Sequence, residues 1–499
     1  MTGMHINREF FQLKPVYAPY QVLPLHNLYL REEYRGVRLG DKLIGFTLTV
    51  LERLEDPPWL VEKKKADAAR GEKSPLVDHS DYGPDISDKA AGALYELRHH
   101  TYMTFLFLGH EREMLIRSKA LLNSRLEMQA FAMKVTSGEY WTEMEGQITA
   151  GNMNLVIKEK EAEPVRKIIP VPSPLYFSEA LSVIWTPENL STGRRGRLHV
   201  WNPLQLGVEE IEFKVGNKEE VEQDGKNVEA YLVFITEQGM ETRYWVTLEG
   251  ILIKHESSTG LVLEKMEAWK IFDTLRETRG DLQDLPNLYS TPSNLLIENP
   301  GGLTMLKAEV KLLEELSLIE NHRVETEAFK AVPLLPPAGT DLTEYLAADE
   351  FLQSDHPEIK SRAKEIANSE TTAWGAAVRL LDWVHAYVQP TPTISLPSAL
   401  QVLKIKKGDC NEYTALYTAL ARAMGIPARM VAGLVYQNGR FFYHAWTEIY
   451  ISSWVPVDPT FNQAPADVTH LALVRGNLKE QVDLVRRLGK TTVKVIETA

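Results

Sequence analysis

Only one cysteine occurs in 499 residues, so no disulfide can close within the chain and a cysteine-based metal site is not expected. No apolar run reaches the length needed to cross a bilayer, and residues 1–30 lack the charged-then-apolar pattern of a secretory leader. Basic charge is short as well. The 55 Lys and Arg against 68 Asp and Glu leave a net charge of −13, which argues against a nucleic-acid or anionic-membrane partner, because phosphate binding needs clustered cations. The nearest approach to a basic cluster, Arg194-Arg195-Gly196-Arg197, sits among Ser, Thr and Gly and reads as a solvated turn. Paired histidines at helical spacing are also missing. His99-His100 and His110-Glu111 have no second His on a helical face, and the segment between them reads as a strand, so no metal and no other cofactor is expected.

What is present is an ordinary globular balance, 44% apolar and 25% charged, in a chain too long for one core. Residues 1–30 are expected to form an N-terminal arm, or what remains once a leader is trimmed. Residues 31–285 alternate with a period of two in Phe46–Val50, Thr101–Leu108, Leu198–Trp201, Glu210–Val215 and Val228–Thr236, which predicts an antiparallel β-rich domain. Glu55 to Lys89, with Pro57-Pro58 and a lysine run, reads as a surface insertion. Tyr140-Trp141 with Glu145-Gly146 recurs as Tyr244-Trp245 with Glu249-Gly250, predicting a duplicated hairpin unit with core aromatics and Gly at equivalent turns. Residues 286–345 hold proline-rich breaks and two short strand-like segments, Leu303–Leu312 and Val324–Val332, and read as a connecting segment. Residues 346–499 then form a second domain, opening with a helical stripe from Glu358 to Val388 that starts at Asp355-His356-Pro357 and stops at Gln389-Pro390. The fold class is α+β.

The lone cysteine decides the chemistry. Lys407-Gly408-Asp409-Cys410 leads into a helical run, Asn411 to Met424, with Leu416, Tyr417, Leu420 and Met424 on its apolar face and Gly425 and Pro427 ending it. A thiol in a helix's first turn meets unpaired N–H groups and the positive dipole end, which predicts a lowered pKa and a nucleophilic sulfur. Elsewhere, a single cysteine would read as a buried core residue.

A strand, Ala428–Tyr436, turns at Asn438-Gly439 into a returning strand, Phe441 to Ile451. Alternation puts Phe442, His444, Trp446 and Glu448 on one face and Ala445, Thr447, Ile449 and Ile451 on the other. A third strand, Trp454–Asp458, ends at Pro459. Asp458 shares His444's face only if paired positions have an even sum, which requires an odd loop or a bulge at Ser452-Ser453. Taken singly, His444 reads as a core histidine and Asp458 as a turn start. Together with Cys410 they read as nucleophile, base and orienter.

The order of these motifs (Gly-Asp-Cys opening a helix, His-Ala-Trp on a strand, Val-Asp-Pro ending the next) resembles the transglutaminase-like superfamily. The likeness extends to Ser398-Ala399-Leu400, Arg422 through Arg429 and Gly433, and covers roughly Glu358 to Asp467. It implies a papain-like core with Cys410, His444 and Asp458 as a catalytic triad acting on protein or peptide substrates. The reaction implied is cysteine-dependent acyl transfer at carboxamide or peptide bonds through a thioester. Hydrolysis, as in a peptidase or amidase, is the first expectation, and glutamine crosslinking is the alternative. The Cys410 N–H is one expected oxyanion donor; Gln401 and Trp446 are candidates for a second, each with a structural role as the competing reading. The short loop after Gly433 and the lack of calcium-site motifs resemble the compact bacterial branch. The β-rich front half resembles exported sheet domains, which implies the cell envelope. A non-enzymatic peptide- or lipid-binding module that kept the fold is the competing class. Oligomeric state is not indicated.

Overall fold

The computed structural model describes residues 30–54, 86, 92–107, 110–160, 163–187, 190–237, 240–257, 260–277, 290–312, 315–334, 342–391, 398–476, 484 and 491–499. The expected N-terminal arm and nearly all of the Glu55–Lys89 insertion lie outside them. The chain divides into two compact units, one holding nearly all residues up to Gln283 and the other running from Asp284 to Ala499. Among the described residues, no helix is long and apolar enough to cross a membrane.

Among the described residues, the first unit is built around one 15-stranded sheet, with the helix Ala268–Glu277 after its last strand in sequence. Two runs of strands, each pairing with its chain neighbour, are joined where Leu30–Leu39 pairs antiparallel with Leu261–Lys265. The strands read from alternation are present among the described residues, Phe46–Val50 within Lys42–Arg53 and Val228–Thr236 within Lys226–Glu237 among them; Leu108, the expected end of one, lies outside those residues. Arg195-Gly196-Arg197, expected in a turn, opens the strand Arg195–Asn202 instead. His99 and His100 lie on the strand Tyr95–Phe107, where His99 bonds Thr49 and Thr101.

The repeated motif is built differently in its two copies. Gly250 stands at a turn with φ +83°, but Gly146 lies inside the strand Tyr140–Thr149, where a Cβ would sit 2.3 Å from the Phe131 ring. Gly146 leaves room for an aromatic ring, whereas Gly250 supplies a left-handed backbone. Tyr140, Tyr244 and Trp245 are core residues and Trp141 is half-buried; Lys134 and Lys254 lie over the rings of Trp141 and Trp245.

The second unit packs helices and a smaller sheet against a five-stranded sheet. Helices Pro357–Ala367, Ala373–Tyr387, Ala399–Ile405 and Cys410–Ala423 share one apolar cluster with Ile449, Ile451, Val455 and Val457 on one face of the central sheet. Further along the same hairpin, Ala432, Leu434, Tyr436 and Phe441 pack instead against Leu306, Ala308, Val310, Val493 and Val495. The stripe expected as one helix from Glu358 to Val388 is two. Its first turn starts as expected, with His356 Nδ1 accepting the Glu358 N–H at 3.2 Å. Thr372 then takes an extended backbone, and its hydroxyl accepts the Gly375 N–H at 3.1 Å, so a new helix is capped where the old one would have continued.

Residues 286–345, read as a connector, are instead built into this unit where described. Thr291-Pro292 pairs with Phe441-Arg440. Met305–Leu312 pairs both with Glu315–His322 and with the C-terminal strand Thr492–Thr498. Val324–Val332 is no strand; it holds a single 3-10 turn, Glu327–Ala331. The strand actually present, Glu315–His322, gave no clear signal because it lies at an edge and its leucines, Leu316 and Leu318, face outward.

Candidate active site

Cys410 opens its helix because Asp409 and Glu412 form a reciprocal cap. Asp409 Oδ1 accepts the Asn411 N–H at 3.0 Å, and Glu412 Oε2 accepts the Asp409 N–H at 2.8 Å. Gly408 makes room for this, since a Cβ there would lie 2.2 Å from the folded-back Glu412 side chain. The helix then buries Tyr413, Leu416, Tyr417 and Leu420 and ends at Gly425, with φ +80° and the Ile426 N–H bonded to Ala421 O at 3.0 Å.

The His444 strand, Arg440–Ile451, is set by the Asn438-Gly439 turn, both residues with positive φ, which pairs Gly433 with His444. Thr447, Ile449 and Ile451 face the helices; Thr447 bonds Thr418 of the Cys410 helix at 2.9 Å. His444, Trp446 and Glu448 occupy the opposite face, as alternation required. The even register condition is met by the smallest odd loop. Ile451 pairs with Ser453, and Ser452 alone makes the turn at φ +64°. Pairing then runs to Thr447 with Val457, and Asp458 follows on His444's face.

Because the third strand stops opposite Thr447, it does not cover the His444 strand at Ala445. The Ala445 N–H acts on the Cys410 thiol in the direction that favours its ionised form, so the sulfur faces the backbone of His444's neighbour. His444 Nε2 donates to Asp458 Oδ2 at 2.7 Å, which leaves Nδ1 as its basic nitrogen, and Phe461 stacks on its ring at 4.6 Å, 6° from parallel. Asp458 is completely buried and accepts four N–H groups: Thr460 at 2.7 Å and Phe461 at 3.1 Å on Oδ1, His444 and, at 3.0 Å, His470 on Oδ2. Burial pushes this carboxyl up, but the two imidazoles more than offset that and hold it well below the usual carboxylate range.

Trp446 is fully buried on the same face, and its indole N–H meets no acceptor among the described residues. Gln401 is fully buried on the short helix Ala399–Ile405, which precedes the Cys410 helix.

His470 escaped the sequence reading. It sits in an aperiodic loop, and the only signal was a Thr-His pair before the apolar strand Leu471–Arg475, three residues after Asp467. His444 Nε2, Asp458 Oδ2 and His470 Nε2 lie within 4.8 Å of one another, a grouping that could suggest a metal. Both N···O separations, however, are hydrogen-bond lengths on a single oxygen, shorter than the spacing of ligands around an ion about 2.1 Å from each. The cluster holds itself together with protons.

The thiol departs from expectation. Cys410 is partly exposed, yet burial of its sulfur raises its pKa well above the ordinary value. The charges of Asp409, Glu412 and Asp458 add to the rise, and the Ala445 N–H opposes it. The carboxylates that cap the helix thus work against the thiolate that its dipole would favour. Burial thus favours the thiol form, and alkylation by iodoacetamide is expected to accelerate only above the ordinary thiol range of about pH 8.5. A rate already on its plateau at pH 6 would contradict this. Such a profile also means that slow alkylation does not mark an inert site; acylation by substrate has to be measured.

Against this geometry, residues 360–459 match the core of the transglutaminase-like superfamily. The chain carries a transglutaminase-like domain. A protein-glutamine gamma-glutamyltransferase of Pseudomonas aeruginosa is 38% identical over 182 residues, covering 32% of this chain and 27% of that protein. This chain therefore spans about a quarter of the length of that relative. Among solved structures, a proposed cysteine protease from Cytophaga hutchinsonii shows 16% identity over 62% of this chain and 80% of its own, at a TM-score of 0.28. A β-barrel-like protein of a domain of unknown function from Brucella abortus shows 9% identity over 48% and 95%, also at 0.28. Both likenesses are too loose to bear on fold or function. The transglutaminase-like match supports cysteine-dependent catalysis in general.

Proposed function

We propose that the chain catalyses cysteine-dependent acyl transfer from carboxamide or peptide substrates, with Cys410 as nucleophile, His444 as general base and Asp458 as orienter. The observation that carries this reading is the 2.7 Å bond from His444 to the buried Asp458, with the Ala445 N–H of the same strand acting on the Cys410 thiol. Nδ1 of His444 takes the thiol proton as sulfur attacks the carbonyl carbon; the same proton then passes to the departing nitrogen, releasing ammonia or an amine and leaving a thioester. Burial favours the thiol over the thiolate, so the base has to take the proton for sulfur to attack. The Cys410 N–H at the helix start is the first oxyanion donor. The buried indole N–H of Trp446 is the stronger candidate for a second, since it has no other described acceptor, and Gln401 is the weaker one.

Water attacking the thioester gives hydrolysis, the reading we favour for the reaction as a whole. The named activity of the Pseudomonas aeruginosa relative favours a second, in which a lysine-type amine attacks and a crosslink forms. Incubating the protein with glutamine-containing peptides, with and without a primary amine, and weighing the intact chain tests both. An acyl adduct on Cys410, absent in Cys410→Ala, is expected. Product released as acid or as amine conjugate separates hydrolase from transferase.

A further inference from the structure

The row of side chains does not end at Asp458. Beyond it lies His470, 4% exposed, with Nε2 3.0 Å from Asp458 Oδ2 and Nδ1 3.1 Å from the Asp467 carbonyl oxygen and 3.3 Å from Asp467 Oδ1. Each of these partners is an acceptor. A neutral imidazole has one N–H and would turn a lone pair toward one set of oxygens; satisfying both sets requires the imidazolium. Asp467 is itself anchored. Its Oδ1 accepts the Thr469 N–H at 2.9 Å and hydroxyl at 2.6 Å, and its Oδ2 accepts Gln463 Nε2 at 3.0 Å. His470 and Asp467 lie beyond the matched residues 360–459.

We propose that His470 is a positioning residue for the acyl-transfer step, a standing cation bridged between Asp458 and Asp467 that fixes the Asp458 carboxylate and limits how strongly its charge bears on His444. The inference rests on the assignment of Cys410 and His444 proposed above. Burial pulls the His470 pKa down, but the two carboxylates raise it to about 9, in keeping with the charge its partners demand. Among the described residues, the groups facing the row are few. His444 and Asp458 come from the sheet and Asp467 from the loop, while Trp446 lies edge-on to His470 at 5.2 Å and is uncharged. At the thiol end stand Asp409 and Glu412 of the helix and Tyr443, whose pKa burial and the nearby sulfur raise well above its ordinary value, so it stays neutral.

The sign of the effect follows from charge. Protonated His444 cannot accept the Cys410 proton, so kcat/KM falls toward acid pH. An imidazolium beside Asp458 disfavours a second one at His444. Replacing His470 by a neutral side chain leaves Asp458 pressing on His444 alone, and the acid limb moves to higher pH. His470→Gln is expected to lower kcat by about 10- to 100-fold, as removal of an outer orienting group commonly does, with KM changed less than about twofold and the acid limb of kcat/KM shifted upward. Asp467→Asn keeps the imidazole and removes one anionic partner, so a smaller shift in the same direction is expected.

The experiment compares pH–rate profiles of wild type and both variants, alongside carbon-13 histidine spectra of the same proteins in a Cys410→Ala background. The spectra read the network without any turnover. One imidazole is expected to be protonated still at pH 8 and to vanish in His470→Gln, while the His444 signal titrates at higher pH in that variant. Reduced rate with an unmoved limb and an unmoved His444 titration would reduce His470 to a structural role and overturn the proposal. A neutral His470 at pH 7 would overturn it as well. Spectra that behave as expected in a protein that never acylates Cys410 would leave the bridge standing and sink the proposed reaction instead.

Discussion

Asp458→Asn is expected to lower kcat by about a thousand- to ten-thousand-fold, the scale seen when a triad carboxylate becomes an amide and the histidine takes the wrong tautomer. The site makes the change harsher than a lost charge. Four N–H groups converge on this carboxylate, two on each oxygen. An amide has one oxygen and one NH2. With its oxygen toward the imidazoles, the NH2 meets the N–H groups of Thr460 and Phe461; flipped, it meets those of His444 and His470. Either way donors face donors in a fully buried place, a cost of about 1–3 kcal/mol for each group left without a partner. The variant should therefore lose both rate and thermal stability. Steady-state kinetics with a carboxamide substrate, together with a melting curve, checks both. An Asp458→Asn variant within tenfold of wild type would mean that His444 does not depend on Asp458 for its tautomer.

Gly433→Ala is expected to destabilise the protein by at least about 2–3 kcal/mol, the upper range for overpacking a filled interior. Gly433 pairs with His444 across the hairpin. A Cβ at Gly433 would stand 2.1 Å from the Leu471 carbonyl oxygen and 2.9 Å from the Trp446 ring. Backbone on one side and a fully buried indole on the other leave nowhere for the methyl to go. Relief would push the Leu471 strand outward, and His470 immediately precedes it, so activity should fall with stability. Chemical denaturation measures the first and turnover at a temperature where the variant stays folded measures the second. An unchanged denaturation midpoint would show that the strands can part here at little cost.

The parts of the site set by short-range chemistry were legible in the sequence. Gly408-Asp409-Cys410 announced a capped helix, Asn438-Gly439 fixed the hairpin register, and the demand that Asp458 share a face with His444 dictated an odd loop, which Ser452 supplies. What was not legible depends on groups that meet only after folding. The thiol's raised pKa comes first from burial of its sulfur and then from the charges of Asp409, Glu412 and Asp458, the last 48 positions away in sequence. His470 joins the site from a loop without periodicity. Met305–Leu312 looked like part of a connector because its partner strand, Thr492–Thr498, lies at the far end of the chain. The break between Ala367 and Ala373 was hidden by an apolar stripe that continues in phase across it, although Thr372 carried a cap signal.

The reaction stands or falls on whether Cys410 carries an acyl group. Intact-mass spectrometry of the protein quenched in acid after brief exposure to glutamine peptides measures this directly. The predicted result is a mass increase equal to the peptide less ammonia, located on Cys410, removed by hydroxylamine and missing in Cys410→Ala. Peptide and carboxamide substrates consumed at the same rate by wild type and Cys410→Ala, with no adduct on either, would contradict it.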